Sequence, residues 1–332
     1  MMMCAHNEAA FLRANLTYHH AVGVRRAYLF LDNCSDETEA IARSFPWVEV
    51  ERRDRPPETQ FMRQHQNACA AMALEKARGE GFDWLLHLDA DELAFGSDPA
   101  TREAGDRSPG WLERLFKPPH KQALQRADLI EMLAGIAPDT QQVILRTHEA
   151  FPLRLPRAED FWQNPYFQSG EPFIQRILDP TTGKKMKFDR YLGHDKGKSI
   201  VRTAADVQAF NPHGWTTNQN IVAPEFPQEI PIPTEERGCH FHYLVVTAEQ
   251  WRKKFGAFDG LAKNWPSGVP LAFPKSAWRE AALTMTEQVA GDYLDEWVFR
   301  TRDALDELAR QGELQIEPEV AQILHRFLSR SF

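Results

Sequence analysis

Short apolar runs alternate with amphipathic stretches through the first 95 residues of the chain. Apolar runs bounded by turn-forming residues predict buried strands, and apolar residues recurring every three or four positions predict helices. Strands that alternate with helices favour an α/β fold with a mostly parallel sheet, because right-handed helical crossovers connect parallel neighbours. The predicted strands are 1–5, 27–32, 47–51 and 83–93, and the predicted helices are 8–24, 35–45 with Ser35 as N-cap, and 58–81.

The second half of the chain has a less regular pattern. Residues 96–128 are polar, contain Pro and Gly, and predict a loop or insertion. The apolar stripe of 318–328 predicts a helix that packs against its own domain. Further strands are predicted at 141–151, 172–178, 198–203 and 238–246, and helices at 247–258 and in the segment after 275.

Polar side chains follow three of the predicted strands in the N-terminal half. The carboxyl ends of parallel strands meet at one edge of a sheet, where ligands bind. Carboxylates brought together there repel one another unless a cation or ligand donors separate them. The pattern therefore predicts a ligand site, and the alternative is that each cluster is a solvent-facing turn. The side chains are His6, Asn7 and Glu8 after the first strand, Asp32 and Asn33 after the second, and Asp89 and Asp91 after the fourth.

The pair Asp89 and Asp91 predicts a metal site. Two carboxylates two positions apart can point to one side of the chain, and oxygen ligands suit Mg²⁺ or Mn²⁺. These ions keep water and take up substrate phosphates, so we predict a cation that bridges the protein and a diphosphate. A histidine could complete the coordination and would favour Mn²⁺, with His242 as first choice and His240 and His213 as alternatives.

Composition narrows the class of protein. Apolar residues make up 42% and charged residues 26%, which indicates a folded globular chain. The net charge of −8 argues against nucleic-acid binding. Four cysteines without a CxxC pair favour reduced thiols. The N-terminus lacks the apolar core of a secretion signal, and no apolar run approaches the ~18–20 residues of a membrane span. We expect a cytoplasmic protein, able to associate peripherally with a membrane.

The segment HNEAAFLRANLTYHHAVGVRRAYLFLDNCSDET at 6–38 resembles the opening of nucleotide-sugar glycosyltransferases with the GT-A fold. The similarity is to the family-two-like group related to family ninety-two. It is dense over 1–93 and patchy over 198–255, and at Val246 and Thr247 the chain departs from the Lys-Ser of that group. The later matching residues are Trp84, Asp89, Asp91 and Glu92, Lys198 to Arg202, and Pro212-His213-Gly214.

The resemblance implies a GT-A, Rossmann-like fold with a mixed, mostly parallel sheet flanked by helices. It implies a glycosyltransferase domain at 1–260, with a nucleotide-binding half at 1–95 and an acceptor half at 140–260, and a C-terminal helical extension at 261–332. The implied activity is the metal-dependent transfer of a sugar from a UDP-sugar to a glycan or lipid-linked acceptor in surface polysaccharide synthesis, with inversion.

The resemblance also suggests roles for individual residues. A carboxylate of the second half would take the proton from the acceptor hydroxyl. The candidates for this base are Glu149, Asp195 and Asp189. The residues expected to bind the nucleotide sugar are His6, Asn7, Glu8, Asp32, Asp36, Arg63, Gln66 and Asp89.

Two other functions fit parts of the pattern. A non-catalytic nucleotide- or glycan-binding protein could use the same scaffold, because a fold does not dictate an activity. A haloacid-dehalogenase-type phosphatase also has Asp-x-Asp after an apolar strand. That family has Thr or Val where this chain has Leu93, and it carries the motif on its first strand.

Overall fold

The structure is a computed structural model that describes residues 1–55, 62–97, 121–168, 175–188, 196–211, 213–217, 230–256 and 275–329. Its strands are β1 (Met2–Ala5), β2 (Ala27–Leu31), β3 (Val48–Arg52), β4 (Trp84–Leu86), β5 (Glu92–Phe95), β6 (Gln142–Ala150), β7 (Tyr166–Gln168), β8 (Gln175–Leu178), β9 (Lys185–Phe188), β10 (Lys198–Arg202), β11 (Val207–Asn211), β12 (Gly214–Thr217), β13 (Thr234–His242) and β14 (Gln315–Ile316). Its helices are α1 (Ala9–Ala21), α2 (Thr38–Arg43), α3 (Met62–Gly79), α4 (Lys121–Ala127), α5 (Leu129–Ala134), α6 (Ala248–Gly256), α7 (Lys275–Thr284), α8 (Glu287–Trp297), α9 (Arg302–Arg310) and α10 (Glu319–Leu328).

The strands of the N-terminal half are parallel. β2 pairs with β1 on one side and with β3 on the other, both in parallel. A parallel bridge between Met2 and His87 places the chain after β4 beside β1. The order β3-β2-β1-β4, with α1, α2 and α3 as connections, confirms the predicted α/β class. The carboxyl ends of these strands therefore lie at one edge of the sheet.

Antiparallel strands extend the sheet beyond β4. β10 pairs with β4 and with β6, both antiparallel, and β13 pairs with β5 and β6. The sheet is therefore mixed, with its parallel part in the N-terminal half. The pairing of β10 with β4 brings residues near 200 beside residues near 86.

The chain divides into two units. The first comprises Met1–Thr147, Lys196–Phe241 and Pro318–Phe332, and the second comprises His148–Asp195 and His242–Glu317. These units do not follow the boundaries at 95, 140 and 260 drawn from the sequence, and the domain division at 1–260 and 261–332 stays a prediction.

The core of the first unit lies between the parallel strands and α3. Small residues on one face of α3 allow the helix to approach the sheet closely, and Cys69, Ala70 and Ala73 are fully buried there. They pack with large side chains of the strands, including Tyr28 and Phe30. Close packing of this kind orders the strand ends on which the polar side chains lie.

The last helix belongs to the first unit. In α10 the residues Val320, Ile323 and Leu324 are buried, as the apolar stripe predicts. Glu319 at the start of the helix accepts a hydrogen bond from Arg126 of α4 at 3.0 Å. Helix α4 lies within 96–128, so the prediction of a loop is wrong for 121–127.

The second unit has its own aromatic core. Trp251 and Phe255 of α6 pack with Trp278 of α7 and Tyr293 of α8. The indole N–H of Trp278 donates to the hydroxyl of Tyr293 at 3.0 Å, and this hydroxyl donates to the carbonyl of Leu178 at 2.8 Å. These two hydrogen bonds satisfy the polar atoms of Trp278 and Tyr293, which lowers the cost of burying both rings. None of the helices in the described ranges has the length and apolar character needed to cross a membrane.

Candidate active site

The loop after β1 and the loop after β2 are held together by side-chain to backbone hydrogen bonds. The Oδ1 atom of Asn7 accepts from the backbone N–H groups of Ser35 at 2.8 Å and Asp36 at 3.2 Å. The Asp36 carboxylate accepts from the backbone N–H of Thr38 at 3.0 Å and of Ala9 at 3.2 Å. Ser35 lies outside α2 and bonds to Asn7, so its predicted role as N-cap is wrong.

The backbone conformation of these loops depends on asparagine. Asn7 has a φ of +57° and Asn33 a φ of +51°, in the left-handed region that asparagine tolerates better than most residues. The backbone N–H of Glu8 donates to the hydroxyl of Thr38 at 2.8 Å, which ties the start of α1 to α2. The sequence predictions for Asn7, Glu8 and Asp36 therefore fall on residues that fix the shape of the strand-end loops.

Asp32 is a buried carboxylate at the end of β2, with 5% of its surface exposed. Its Oδ1 accepts from the backbone N–H of Arg55 at 2.9 Å and from Asn33 Nδ2 at 2.8 Å, and Arg55 Nε lies 3.4 Å from Oδ2. His6 Nδ1 lies 2.6 Å from the backbone carbonyl oxygen of Asp32, to which it donates. A cleft of about 230 Å³ beside this residue is lined by Leu31, Asn33, Cys34, Glu39, Arg52 and Asp54.

The start of α3 lies close to the same edge. His65 Nε2 is 3.8 Å from Cys69 Sγ. A hydrogen bond with Cys4 lowers the pKa of Cys69 to about 6 against the effect of burial, and His65 contributes. The Cys4 pKa is raised by this hydrogen bond, by burial and by the charges of Asp89 and Asp32, so Cys4 lies within electrostatic reach of both carboxylates. The predicted residue Gln66 is half-buried on α3, and the side chain of Arg63 lies outside the described part.

The loop 89–92 after β4 is clamped by α1. The buried side-chain amide of Asn15 donates to the carbonyl of Ala90 at 2.9 Å and of Glu92 at 2.8 Å. His19 Nε2 accepts from the backbone N–H of Ala94 at 3.2 Å, so its Nδ1 carries the proton and donates to Asn15. Burial lowers the pKa of His19 to about 3, which keeps the ring neutral. Asn15 and His19 thus give Asp89 and Asp91 a fixed backbone.

Lys198 holds two carboxylates of this loop. Its Nζ is fully buried and lies 2.6 Å from Asp89 Oδ2 and 3.0 Å from Glu92 Oε2. Glu92 Oε2 also accepts from the backbone N–H of Asp89 at 2.9 Å. Burial alone would raise the pKa of Asp89, but the Lys198 ammonium outweighs it and lowers this pKa to about 2. We call Asp89, Glu92 and Lys198 the lysine cluster.

The segment before Lys198 requires glycine. Gly197 has a φ of +72°, and a Cβ at this position would lie 2.5 Å from the carbonyl oxygen of Leu145. His213 Nδ1 donates to the Gly197 carbonyl at 3.0 Å, which leaves the lone pair of the neutral ring on Nε2. Burial and then the charge of Lys198 lower the pKa of His213 to about 3. The predicted ligand His213 therefore lies as a neutral imidazole close to the lysine cluster.

His87 is a site residue that the sequence analysis missed. It is 1% exposed, and burial and the charge of Lys198 lower its pKa to about 3. Neither ring nitrogen finds a hydrogen-bond partner among the described residues. A buried imidazole in this state is costly unless water or a ligand reaches it. The signal was available, because His87 is the polar residue within the apolar run LLHL, two positions before Asp89.

The predicted metal ligands do not form an all-protein cage. Among the residues that the structure describes, no group of three or more His, Cys, Asp or Glu side chains is arranged to hold a metal ion. His240 Nδ1 donates to the Leu145 carbonyl at 3.3 Å, and its Nε2 lies 3.7 Å from Glu92 Oε1. The loop nevertheless carries three carboxylates within four positions, of which Asp89 and Glu92 contact the Lys198 ammonium and Asp91 is buried. This donor set fits a divalent cation that takes one or two carboxylates and completes its shell with phosphate oxygens.

A second buried cluster occurs in the second unit, at the ends of β6 and β13. His242 Nδ1 lies 2.9 Å from Glu149 Oε2, and both side chains are less than 10% exposed. Glu149 is directly opposite Gln168 in the pairing of β6 with β7, so their side chains share one face of the sheet. The structure thus joins a predicted base to a predicted metal ligand. The other candidate bases, Asp189 and Asp195, lie outside the described residues.

Comparisons with known proteins show a similarity to a curated protein. No protein family matches the sequence. A protein named glycosyltransferase-like At2g41451, from Arabidopsis thaliana, is 23% identical over 327 residues, and the alignment covers 90% of this chain and 65% of that protein. The chain therefore spans slightly less than two thirds of the relative's length. This similarity agrees with the resemblance to glycosyltransferases, whereas the relation to family ninety-two stays a prediction.

A solved structure was also found by similarity. It is the mannosyltransferase PcManGT from Pyrobaculum calidifontis in complex with GDP-Man and Mn²⁺, which aligns over 100% of this chain and 79% of its own. The sequence identity is 14% and the TM-score is 0.29, a value that establishes neither a shared fold nor a shared function.

Proposed function

We propose that this chain is a glycosyltransferase that moves a sugar from a UDP-sugar to a glycan or lipid-linked acceptor, with inversion, in surface polysaccharide synthesis. The observation that carries the proposal is the loop 89–92, whose carboxylates follow β4 at the carboxyl edge of the parallel strands. The parallel pairing of β1 with β2 and the parallel bridge between Met2 and His87 support convergence of the ends of β1, β2 and β4. The similarity to a glycosyltransferase-like protein supports the reaction class.

Residues of the first unit would bind the donor. We assign the cleft beside β2, whose lining includes Asn33, Cys34 and Asp54, to the nucleoside. Asp91, with Asp89, would hold a Mn²⁺ or Mg²⁺ ion shared with the diphosphate. Such an ion would act as a Lewis acid for the leaving diphosphate. Of the predicted bases that would take the proton of the acceptor hydroxyl, Glu149 is the one among the described residues.

The position of the motif argues against a phosphatase of the haloacid-dehalogenase type. That family carries Asp-x-Asp on its first strand, whereas here it follows β4, which lies next to β1 in the sheet. A non-catalytic binding protein could have the same fold and bind the same nucleotide sugar as an enzyme does. An activity assay is therefore needed to separate the two.

Calorimetric titration tests donor binding. UDP should bind to the wild-type protein in the presence of Mn²⁺, with weaker binding when the cation is omitted. Asp91→Asn removes the carboxylate charge and should abolish the cation-dependent part. Asp83→Asn, which changes an exposed carboxylate at the opposite end of β4, is the matched control and should bind as the wild type does. Equal binding by Asp91→Asn and the wild type would contradict the assignment.

A donor panel tests catalysis. Slow Mn²⁺-dependent release of the nucleoside diphosphate from one UDP-sugar would support a glycosyltransferase. The absence of release from every UDP- and GDP-sugar, together with tight nucleotide binding, would favour a binding protein and reject the proposed activity. Preference for a GDP-sugar would reject the UDP donor alone.

A further inference from the structure

Two thiols lie next to each other where α3 packs on β1. Successive side chains of a strand point to opposite faces, so Cys4 of β1 shares the face of Met2, which is buried in the core with α3. Cys69 of α3 is fully buried in the same core, and Cys4 packs against this core. The Cys4 thiol donates a hydrogen bond to the Cys69 sulfur. The fold therefore brings two free cysteines from distant parts of the chain to adjacent positions.

Small residues of α3 allow the helix backbone to come close to β1. Ala70 and Ala73 are fully buried in the core that holds Cys69, so this face of the helix presents small side chains to the strands. A disulfide forms only between cysteines whose backbones are close, with Cα atoms less than about 7 Å apart. The packing that buries Cys69 therefore favours a bond between the two sulfurs without a large movement of the backbone.

The two thiols differ in charge and in exposure. His65 Nε2 lies 3.8 Å from Cys69 Sγ, and the hydrogen bond from Cys4, together with His65, lowers the pKa of Cys69 to about 6. The same hydrogen bond raises the pKa of Cys4. At pH 7 Cys69 is therefore the thiolate, and it can accept the Cys4 proton when Cys4 reacts. Cys4 is partly exposed, so a small oxidant can reach its sulfur.

We propose that Cys4 and Cys69 are a redox modification site, at which hydrogen peroxide converts two thiols into a disulfide that joins β1 to α3. Cys4 passes its proton to Cys69 as its sulfur attacks one peroxide oxygen. The O–O bond breaks and leaves a sulfenic acid on Cys4 and a hydroxide ion. The Cys69 sulfur then attacks the Cys4 sulfur, the S–O bond breaks, and water leaves with the Cys69 proton. The hydroxide takes a proton from solvent, so the thiols lose two electrons and peroxide is reduced to two waters.

Peptide mapping tests the bond directly. The full chain is reduced, freed of reductant, treated with hydrogen peroxide at pH 7, alkylated and digested with trypsin without further reduction. Trypsin separates the four cysteines, because Arg or Lys residues lie between them in the sequence. Mass spectrometry should find the peptide 1–13 linked to the peptide 64–76 within one chain, and dithiothreitol should release the two. The absence of this link, or a link from 1–13 to the Cys34 peptide 27–43 or to a second chain in its place, would overturn the inference.

The other two cysteines supply matched controls. Cys34 is partly exposed, as Cys4 is, and its thiol donates to the carbonyl of Ala5 at 3.2 Å, whereas Cys239 is buried, as Cys69 is. Cys4→Ser and Cys69→Ala should each abolish the linked peptides, and Cys34→Ser and Cys239→Ala should form them to the wild-type extent. Should Cys4→Ser not fold, Cys69→Ala carries the same comparison. Loss of the link in Cys34→Ser, with the link kept in Cys69→Ala, would contradict the assigned pair.

Thermal denaturation tests whether the bond fits the native fold. The disulfide would close a loop from residue 4 to residue 69, which contains the parallel strands β1, β2 and β3. Closing this loop restricts the unfolded chain, so the oxidised wild type should melt roughly 5 °C above the reduced protein, and oxidised Cys4→Ser should show no such rise. A lower melting temperature in the linked protein would show that the bond distorts the fold and would overturn the inference. Neither measurement uses a nucleotide, so the outcome does not depend on the proposed function.

Discussion

The two buried clusters neutralise their carboxylates in different ways. In the first unit, burial alone would lower the pKa of Lys198. The negative charges of Asp89 and Glu92 outweigh burial and raise this pKa, so the side chain keeps its ammonium charge. In the second unit, Glu149 contacts His242, whose ring is charged only when protonated. The difference teaches that the lysine cluster is built to keep its charges, whereas the partner of Glu149 is an imidazole, a group that can take up or release a proton. A fixed charge suits binding, and a movable proton suits acid–base chemistry.

The largest effect should come from removing the buried ammonium. Lys198→Met leaves Asp89 and Glu92 without their shared cation. Breaking a buried ion pair from one side costs about 3–5 kcal/mol, and the lower end applies because Asp89 is partly exposed. Urea denaturation at pH 7 measures the loss. The control Lys253→Met changes an exposed pair with Glu249 and should stay within about 0.5 kcal/mol of the wild type. If Lys198→Met and Lys253→Met were equally stable, the buried ammonium would contribute no more than an exposed one. The contrast between the two clusters would then lose its basis.

The next largest loss of stability should come from changing Gly197, which directly precedes Lys198. Gly197→Ala requires a left-handed alanine, which costs about 1–3 kcal/mol, and its Cβ would also meet the Leu145 carbonyl oxygen. Gly291→Ala is the opposite control. Gly291 lies within α8 with open space around it, so alanine should stabilise the protein by about 0.5–1 kcal/mol. Thermal denaturation compares the two variants, and a stabilised Gly197→Ala would show that the tight turn is not needed.

The pH dependence of stability tests the clamp on loop 89–92. The pKa of His19 is about 3 in the folded protein against an ordinary 6.5, so between these values the unfolded chain binds more protons. The free energy of unfolding should therefore fall with falling pH below 6.5, by up to about 1.4 kcal/mol per unit from this residue. Between pH 6.5 and 5 this amounts to about 1.6 kcal/mol, because the slope reaches its limit only well below pH 6.5.

Two variants test whether this pH dependence of the free energy of unfolding comes from His19. His19→Gln should show a shallower loss of stability in urea denaturation between pH 7 and 5 than the wild type does. His20→Gln, at an exposed position of the same helix, should keep the wild-type slope. An unchanged slope in His19→Gln would contradict the assignment. The contribution of Asp89 is lost in the same direction but at lower pH, as the pH falls from its ordinary pKa of 3.8 through its folded value of about 2.

The smallest change in stability is expected in the second cluster. Glu149→Gln keeps an oxygen that can accept from His242 Nδ1, so the free energy of unfolding should change by no more than about 1 kcal/mol. Transfer activity should fall by about 10²–10⁴-fold if Glu149 is the base. Glu296→Gln, an exposed position of α8, controls for loss of charge. A loss of stability as large as that of Lys198→Met would show that the second cluster is structural as well.

Much of the N-terminal half could be predicted because its signals are local. Apolar runs and helical periodicity located β1, β2, β3 and α1 within a few residues. The predicted strand at 83–93 is in fact β4, a turn and β5, because Asn15 from α1 bonds to the carbonyls of the intervening loop. A contact made by a residue seventy-odd positions away leaves no trace in the local pattern.

The site was predicted less completely than the fold. Sequence pattern selected Asp89 and Asp91 through their position after a strand, but it did not select His87, and Lys198 entered only through the resemblance, without a role. A lysine in a strand is ordinarily expected to be exposed, and a histidine in an apolar run is ordinarily expected to be structural. Their roles follow from burial and from neighbours that only the folded chain supplies.

The sequence by itself determined the alternation of strands and helices and the polar ends of the parallel strands, because these depend on neighbours a few positions apart. The tertiary structure decided which charges are paired: Lys198 meets Asp89 across 109 positions, and His242 meets Glu149 across 93. The physical reason is that a buried charge is tolerable only with its partner in contact, and the pairing of β10 with β4 and the placement of β13 beside β6 make those contacts.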